Sequence, residues 1–242
     1  MSPHLARSHT PELLDQLARV APEVLCANLR DIARYNHWLG MNRLMHHLVR
    51  QSTQAPFSGL DIGAGSGDFV HYDMRAGESS WVALDISDAV LRCGNTDRLP
   101  EPGRLREPVS VAASGLALPF PDAGFDVVTC AQTLHHLEPT EASALLRECA
   151  RVARHGVIVV DLTRSYVTLA GVWLLTRLTS RNPMTRADGV QSARRAYTLD
   201  EARALAQVAG WPAQHTHVQS HGPARWSMTL SHQTRSASIS NL

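Results

Sequence analysis

Three observations predict that this 242-residue chain is an α/β protein built on a doubly wound, mostly parallel sheet. Apolar runs of strand length alternate with amphipathic stretches of helix length from Phe57 to Leu162. A glycine turn, Gly63-Ala-Gly-Ser-Gly67, follows the first run directly and opens a helix. An acid, Asp85, closes the second run 22 residues beyond Gly63 (85 − 63).

Residues 1–10 show no periodic pattern and are expected to be disordered. Leu13, Leu14, Leu17 and Val20, then Leu25, Leu29, Ile32 and Leu39, recur at three- and four-residue intervals. This predicts helices over Pro11–Val20 and Pro22–Leu39, with a third over Asn42–Gln51. Residues 1–55 thus form an N-terminal helical cap on a domain of residues 56–242.

Strands are predicted at Phe57–Ile62, Trp81–Ile86, Val109–Ala113, Phe125–Cys130 and Val157–Leu162. Helices follow at Asp68–Arg75, from Asp88 with Ser87 as cap, and at Pro139–Arg154. The Pro-, Gly- and Arg-rich stretch 98–106 reads as a surface loop. Beyond the fifth strand an insertion over about 164–197 comprises an apolar helix, Tyr166–Leu178, and a polar, turn-rich loop, Arg181–Gly189. Thr198-Leu-Asp-Glu201 is a capping box that opens a helix ending at Gly210. Gln214–Ser220 and Ala224–Leu230 pair as a terminal hairpin, bringing the sheet to seven strands, and a polar tail begins at Ser231.

Composition narrows the function. A formal net charge of +1 with interspersed signs provides no basic footprint for nucleic acid, so a small molecule is the expected partner. The chain contains no lysine, so all 23 basic residues are Arg, which excludes a phosphate-binding P-loop and Schiff-base chemistry. Cys26, Cys93, Cys130 and Cys149 are widely spaced, suggesting neither a zinc site nor a disulfide framework. With no signal-like N-terminus and no apolar stretch of spanning length, a cytoplasmic protein without membrane attachment is expected, and a homodimer is compatible with it.

The glycine turn admits a ligand close to the backbone. A dinucleotide fingerprint needs glycine at position 68, yet Asp68 stands there and repels a pyrophosphate. A cationic nucleoside without phosphates suits Asp61 and Asp68, and S-adenosylmethionine has that character. The order Asp61-Ile-Gly63-Ala-Gly65-Ser-Gly67 with Asp85 resembles motif I of the class I S-adenosylmethionine-dependent methyltransferases, which have a Rossmann-like fold. Ser114-Gly-Leu-Ala-Leu-Pro-Phe and Phe125-Asp-Val-Val128 resemble later stretches of the same family. Ser114 departs from the acid that usually receives the adenine amino group.

The resemblance implies cofactor contacts at Asp61, Gly63, Ala64, Gly65, Gly67, Asp85, Ile86, Ser114, Gly115 and Cys130, with S-adenosylhomocysteine as product. It also places the strand-four end, with His135 and His136, beside Asp161 of strand five. Such a His–Asp pair resembles the proton-accepting pair of small-molecule O-methyltransferases, with His135 favoured over His136 as base. Methyl transfer from a sulfonium needs no metal, and His215, His217 and His221 lack a fourth ligand nearby, so no metal site is expected.

Asn28-Leu-Arg-Asp-Ile-Ala-Arg-Tyr-Asn-His-Trp-Leu-Gly40, Arg181-Asn-Pro-Met-Thr-Arg186 and Arg194-Arg-Ala-Tyr-Thr198 are similar to bacterial methyltransferases found beside type III polyketide synthases. That similarity implies a phenolic or quinonoid, polyketide-type acceptor of secondary metabolism, contacted by His37, Trp38, Trp173, Arg181 and Tyr197. Two alternatives stand beside O-methylation: C-methylation of a phenol or quinol ring, and a non-catalytic partner protein that binds the cofactor without transferring a methyl.

Overall fold

The computed structural model describes residues 5–77, 79–96 and 107–232. Its sheet contains β1 (Ser58–Ile62), β2 (Ser80–Asp85), β3 (Val109–Ala112), β4 (Phe125–Ala131), β5 (Ala153–Leu162), β6 (Thr216–Ser220) and β7 (Arg225–Ser231). The seven strands lie in the order β3-β2-β1-β4-β5-β7-β6. Pairs up to β5 are parallel, whereas β7 runs antiparallel to both β5 and β6. The chain starts in the middle and winds outward in two directions, so β1 and β4 end side by side at the carboxyl edge. A cleft at such a reversal of strand order is where open α/β sheets take ligands.

Eight α-helices lie among the described residues: α1 (Pro22–Trp38), α2 (Met41–Ser52), α3 (Asp68–Arg75), α4 (Asp88–Thr96), α5 (Pro139–Val152), α6 (Tyr166–Thr179), α7 (Pro183–Arg195) and α8 (Leu199–Val208). Alternate strand residues feed two cores. Leu60, Ile62, Val128, Val157 and Val159 pack with Leu145, Leu146 and Cys149 of α5 and Leu205 of α8. Ala83, Val127, Ile158 and Val160 pack with Met41, Met45 and Val49 of α2 and Phe69 and Val70 of α3. Each face buries well over ten apolar side chains at roughly 1.5–3 kcal/mol apiece before the cost of ordering the chain, so the sheet is the rigid frame of the site. A third cluster joins Leu25 and Leu29 of α1 to Val90 and Cys93 of α4 and Met184 of α7.

Several expectations are corrected. Residues 5–10 are ordered rather than loose: Ser8 N–H donates to the Arg194 carbonyl, and the Arg7 guanidinium donates to the carbonyls of Leu137 and Arg195. Leu13–Arg19 is a 3-10 helix broken at Gln16 rather than a continuous α-helix. Its short turns bring Leu13 and Leu14 N–H onto the Asp188 carboxylate. Residues 183–195 form α7 instead of a loop, because Asn182 caps Met184 N–H and Pro183 opens the first turn. β5 begins at Ala153, four residues early, where a register shift opposite Phe125 and Val127 admits the extra pairing.

Cys26 and Cys93 form a disulfide across a separation of 67 residues, against the expectation of none. No local motif marks that pairing. It follows from packing of α1 on α4, which brings the two sulfurs together. The predicted loop 98–106 and the tail after residue 232 lie outside the described residues.

Candidate active site

β1 delivers the glycine turn to the carboxyl edge of the sheet. Gly63 adopts φ 68° and Gly65 φ 57°, both left-handed. A Cβ on Gly63 would stand 2.2 Å from Thr133 Oγ1, so the turn meshes directly with the loop after β4. A Cβ on Gly65 would meet nothing within 4 Å: that position faces open space, as a turn approached by a ligand requires.

Asp85 organises the neighbouring edge. Its carboxylate accepts Gly65 N–H at 3.1 Å and Ser87 N–H at 2.9 Å, and Ser87 caps α4 through Val90 N–H at 3.3 Å. Burial nonetheless lifts the Asp85 pKa above its ordinary value, against the lowering by those N–H groups. Ile86 beside it is 78% exposed, an apolar face on the open side of β2. Asp61 is buried beneath the turn and accepts Thr129 Oγ1–H at 2.6 Å. Burial pushes its carboxyl up to about 7, which the Thr129 hydrogen bond opposes and the charges of Asp68 and Asp85 reinforce.

Above the turn, Gln132 Nε2 donates to Asn36 Oδ1 at 2.7 Å, and Asn36 Nδ2 donates to Asp68 Oδ2 at 3.2 Å. Gln132 has φ 51°, so the loop after β4 bends up to α1. This polar bridge ties the cap helix to the first residue of α3. The sequence marks Asn36 together with His37 and Trp38 as groups facing a substrate. His37 and Trp38 turn outward and are exposed, with Arg34 stacked 5.1 Å from the Trp38 ring.

The turn after β4, Leu134–His136, carries the second half of the site. His135 Nδ1 donates to Asp161 Oδ1 at 2.7 Å, and its backbone N–H to Asp161 Oδ2 at 3.2 Å. Leu162 N–H adds a third bond to that fully buried carboxylate. The imidazole is therefore oriented with Nδ1 as donor and Nε2 as a free lone pair. His136 is held in the same manner by Asp15, Nδ1 to Oδ1 at 2.7 Å, and its ring lies 4.4 Å from that of His135. Glu12 covers both: its oxygens stand 3.7 Å from His135 Nε2 and 4.0 Å from His136 Nε2. Burial pushes the Glu12 carboxyl up to about 7, against the pull of His136. Arg195 of α7 closes the cluster, donating to Asp15 Oδ2 at 2.7 Å and to the His135 carbonyl at 3.0 Å. Glu12 and Asp15 carried no motif signal, since they lie 123 and 121 residues from the histidines they meet, and Arg195, inside the Arg194–Thr198 stretch, lies 60 residues from His135 and meets it only in the fold.

Four residues that the sequence marks as ligand contacts have further partners in the fold. The Cys130 side chain is fully buried in the core with Leu60 and Leu145 and is withdrawn from the cleft. At Gly115 a Cβ would lie 2.6 Å from Leu145 and 3.1 Å from Ile62, so this glycine serves close packing. Tyr197 is 2% exposed, bonded through its hydroxyl to the Leu137 carbonyl and stacked under Arg7, and is a core pillar. Ser114 Oγ accepts Leu116 N–H at 3.2 Å, which uses its hydroxyl to shape the turn. Ala64 N–H donates to the Leu84 carbonyl, linking the glycine turn to β2. Trp173 and Arg181 are exposed on α6 and just beyond it.

Comparison with known proteins agrees with this geometry. Residues 60–160 match a family model described as a methyltransferase domain. A demethylmenaquinone methyltransferase of Roseiflexus sp. (strain RS-1) is 34% identical over 165 residues, covering 63% of this chain and 66% of that protein. The ubiquinone/menaquinone biosynthesis C-methyltransferase UbiE of Shewanella sp. (strain ANA-3) is 37% identical over 109 residues, 43% of this chain and 42% of its own. The chain therefore spans just under two thirds of the first of these relatives and less than half of the second. Among solved structures, human N-acetylserotonin methyltransferase in complex with SAM superposes with TM-score 0.66 at 15% identity, covering 92% of this chain and 59% of that one. Magnesium protoporphyrin IX methyltransferase from Synechocystis PCC 6803 with bound SAH gives 0.59 at 18% identity, covering 83% and 85%. Strand order and superposition show the Rossmann-like fold of these solved structures, and residues 60–160 within it match a methyltransferase domain.

Proposed function

We propose that the protein moves a methyl group from S-adenosylmethionine to the oxygen of a small aromatic acceptor of the phenolic or quinonoid class, polyketide-derived acceptors included. One observation carries this reading: His135, oriented by buried Asp161, stands on the loop that meshes with the glycine turn through Thr133 and Gly63.

The open face at Gly65 and the carboxylate of Asp85 fit the cofactor. Gly63, Ala64, Gly65 and Gly67 would admit its methionine part to the backbone, Asp85 would hold the ribose hydroxyls, and Ile86 would pack on the adenine. Asp61 would shape the turn from below. Bound S-adenosylmethionine supplies an activated methyl on a sulfonium. The chain's own residues then have two tasks: alignment of the acceptor, and removal of its proton. His135 Nε2 accepts the hydroxyl proton, and Asp161 stabilises the imidazolium that results. His37, Trp38, Trp173 and Arg181 lie at the surface, where they would meet an acceptor only at the rim of the cleft.

A second reading, methylation of a quinol ring carbon, is favoured by the names of the two relatives above. There the same base would raise the electron density of the ring by taking a hydroxyl proton. Incubation with methyl-labelled S-adenosylmethionine and a pool of phenols, quinols and aromatic acids tests both. A product labelled on oxygen, lost with His135→Ala, supports the first; a ring-labelled product supports the second. Cofactor binding with no transfer to any acceptor would overturn both in favour of a non-catalytic binding protein.

A further inference from the structure

The buried Glu12, His135 and His136 cluster has one feature that proton transfer does not require. Both imidazoles have a carboxylate on Nδ1, Asp161 for His135 and Asp15 for His136, each at 2.7 Å. Both Nε2 lone pairs are thereby fixed, and both face the carboxylate of Glu12. The nitrogen–oxygen separations, 3.7 and 4.0 Å, are too long for hydrogen bonds. Lone pairs opposed to a carboxylate repel it unless a proton or a metal cation lies between them, and three converging ligand atoms can share a metal ion as one proton cannot. Glu12 is only 3% exposed, and its Oε1 accepts no hydrogen bond from the described residues, whereas Oε2 receives Ser192 Oγ–H at 2.8 Å.

We propose that Glu12, His135 and His136 form a binding site for a divalent transition-metal cation of the zinc class. One ligand atom from each residue lies within 4.8 Å of the other two. Around zinc, with bonds of about 2.0–2.1 Å, tetrahedral ligand atoms sit roughly 3.3 Å apart. Closure by roughly half an ångström at the two nitrogen–oxygen pairs, through the Glu12 rotamer, with tilts of the two rings toward one another, completes the site. Two histidines and one carboxylate leave a fourth position for water or an acceptor oxygen, the arrangement of open zinc sites and of two-histidine, one-carboxylate iron sites. The carboxylates of Asp161 and Asp15 are the outer partners that metal-bound histidines usually have. Arg195 holds Asp15 and the His135 carbonyl from outside, so the ligands are preorganised rather than gathered on a mobile loop. No local motif points to this site, because Glu12 lies 123 residues from His135. Its existence does not depend on methyl transfer. An ion bound there does, however, take the lone pair on which the proposed base role of His135 rests, so the two uses exclude one another.

The test is titration of the full chain, freed of metal by chelator, with zinc by calorimetry and with cobalt(II) by visible absorption, in the absence of cofactor and acceptor. The expected result is one equivalent bound, with cobalt bands of a four-coordinate nitrogen and oxygen site. Glu12→Gln and His136→Ala should each weaken binding by at least about 100-fold, and Asp15→Asn by about 10- to 100-fold. His217→Ala, on the exposed edge strand, should change nothing. Retained S-adenosylhomocysteine binding certifies that each variant is folded. Absence of stoichiometric binding, or binding that survives in both Glu12→Gln and His136→Ala, overturns the proposal and leaves the methyl-transfer reading intact. Conversely, a protein that moves no methyl would still give the binding result.

Discussion

The Asp85 carboxylate and the Gly65 amide, 20 residues apart in the chain, are joined by a 3.1 Å hydrogen bond that fixes the glycine turn against the end of β2. Asp85→Ala removes that bond together with the proposed ribose acceptor, while the surrounding core is untouched. Loss of a charge-assisted bond of roughly 1.5–3 kcal/mol predicts S-adenosylhomocysteine binding weaker by about 10- to 100-fold in calorimetry. Unchanged affinity would remove Asp85 from the cofactor site.

Asp61 makes stability depend on pH. Its carboxyl is pushed from 3.8 to about 7 in the folded chain, with burial as the largest cause. Between those values the folded state holds a proton that the unfolded state has released, so stability must fall as pH rises. The contribution is complete below about pH 4 and gone above about pH 7, with a total on the order of a few kcal/mol. Urea midpoints of the cofactor-free protein at pH 5 and 8, compared with Asp61→Asn, give the difference directly. An Asn variant with the same pH slope would refute the assignment.

Replacement of His135 by Ala should lower kcat for a hydroxyl acceptor by about 10²- to 10⁴-fold. Cofactor affinity should stay within about twofold, because His135 bonds to Asp161 and not to the glycine turn. Asp161→Asn should act in the same direction by disturbing the tautomer. A parallel loss of cofactor binding in His135→Ala would show a structural rather than a proton-accepting role.

Asp73 tests the frame rather than the site. It is fully buried in α3 and accepts Trp81 Nε1–H at 2.9 Å and His46 Nδ1–H at 2.6 Å, with Arg50 at 3.8 Å. Asp73→Ala strands a buried indole N–H and two basic groups, at a cost of about 3–5 kcal/mol. Chemical denaturation should show this as a lower midpoint with an unchanged slope.

Reduction of Cys26–Cys93 opens a covalent loop spanning 67 residues, for which chain entropy predicts a loss of about 4 kcal/mol. Denaturation midpoints with and without reductant report it. Cys26→Ser should respond to reductant not at all.

Much of this molecule was legible because its signals are local. The run into Gly63, the acid at Asp85 and the β-branched segment before Asp161 each declare a strand and its end within ten residues. Ser87 and the Thr198–Glu201 box fix helix starts for the same reason. α7 was missed because its buried face includes Thr185, Asp188 and Arg195, whose burial depends on partners in residues 5–31, so no apolar stripe marks it. The Asn182-Pro183 start was the available signal. Half of the His135 cluster was legible and half was not. Asp161 stands near the end of a strand adjacent to β4, as topology dictates, whereas Glu12 and Asp15 lie on the polar side of an N-terminal helical segment whose apolar periodicity does not say which part of the sheet edge it meets.

The meshing of Gly63 with Thr133 has a consequence for how such a protein changes over time. The donor-side turn and the loop carrying the histidines are locked into one piece at the sheet edge, while residues 166–195 are separate helices laid across it. Substitutions on the exposed faces of those helices, away from Arg195, can remodel what enters the cleft without disturbing the alignment of the parts within it. New acceptors can therefore be acquired by altering the doorway, with the working parts left in register.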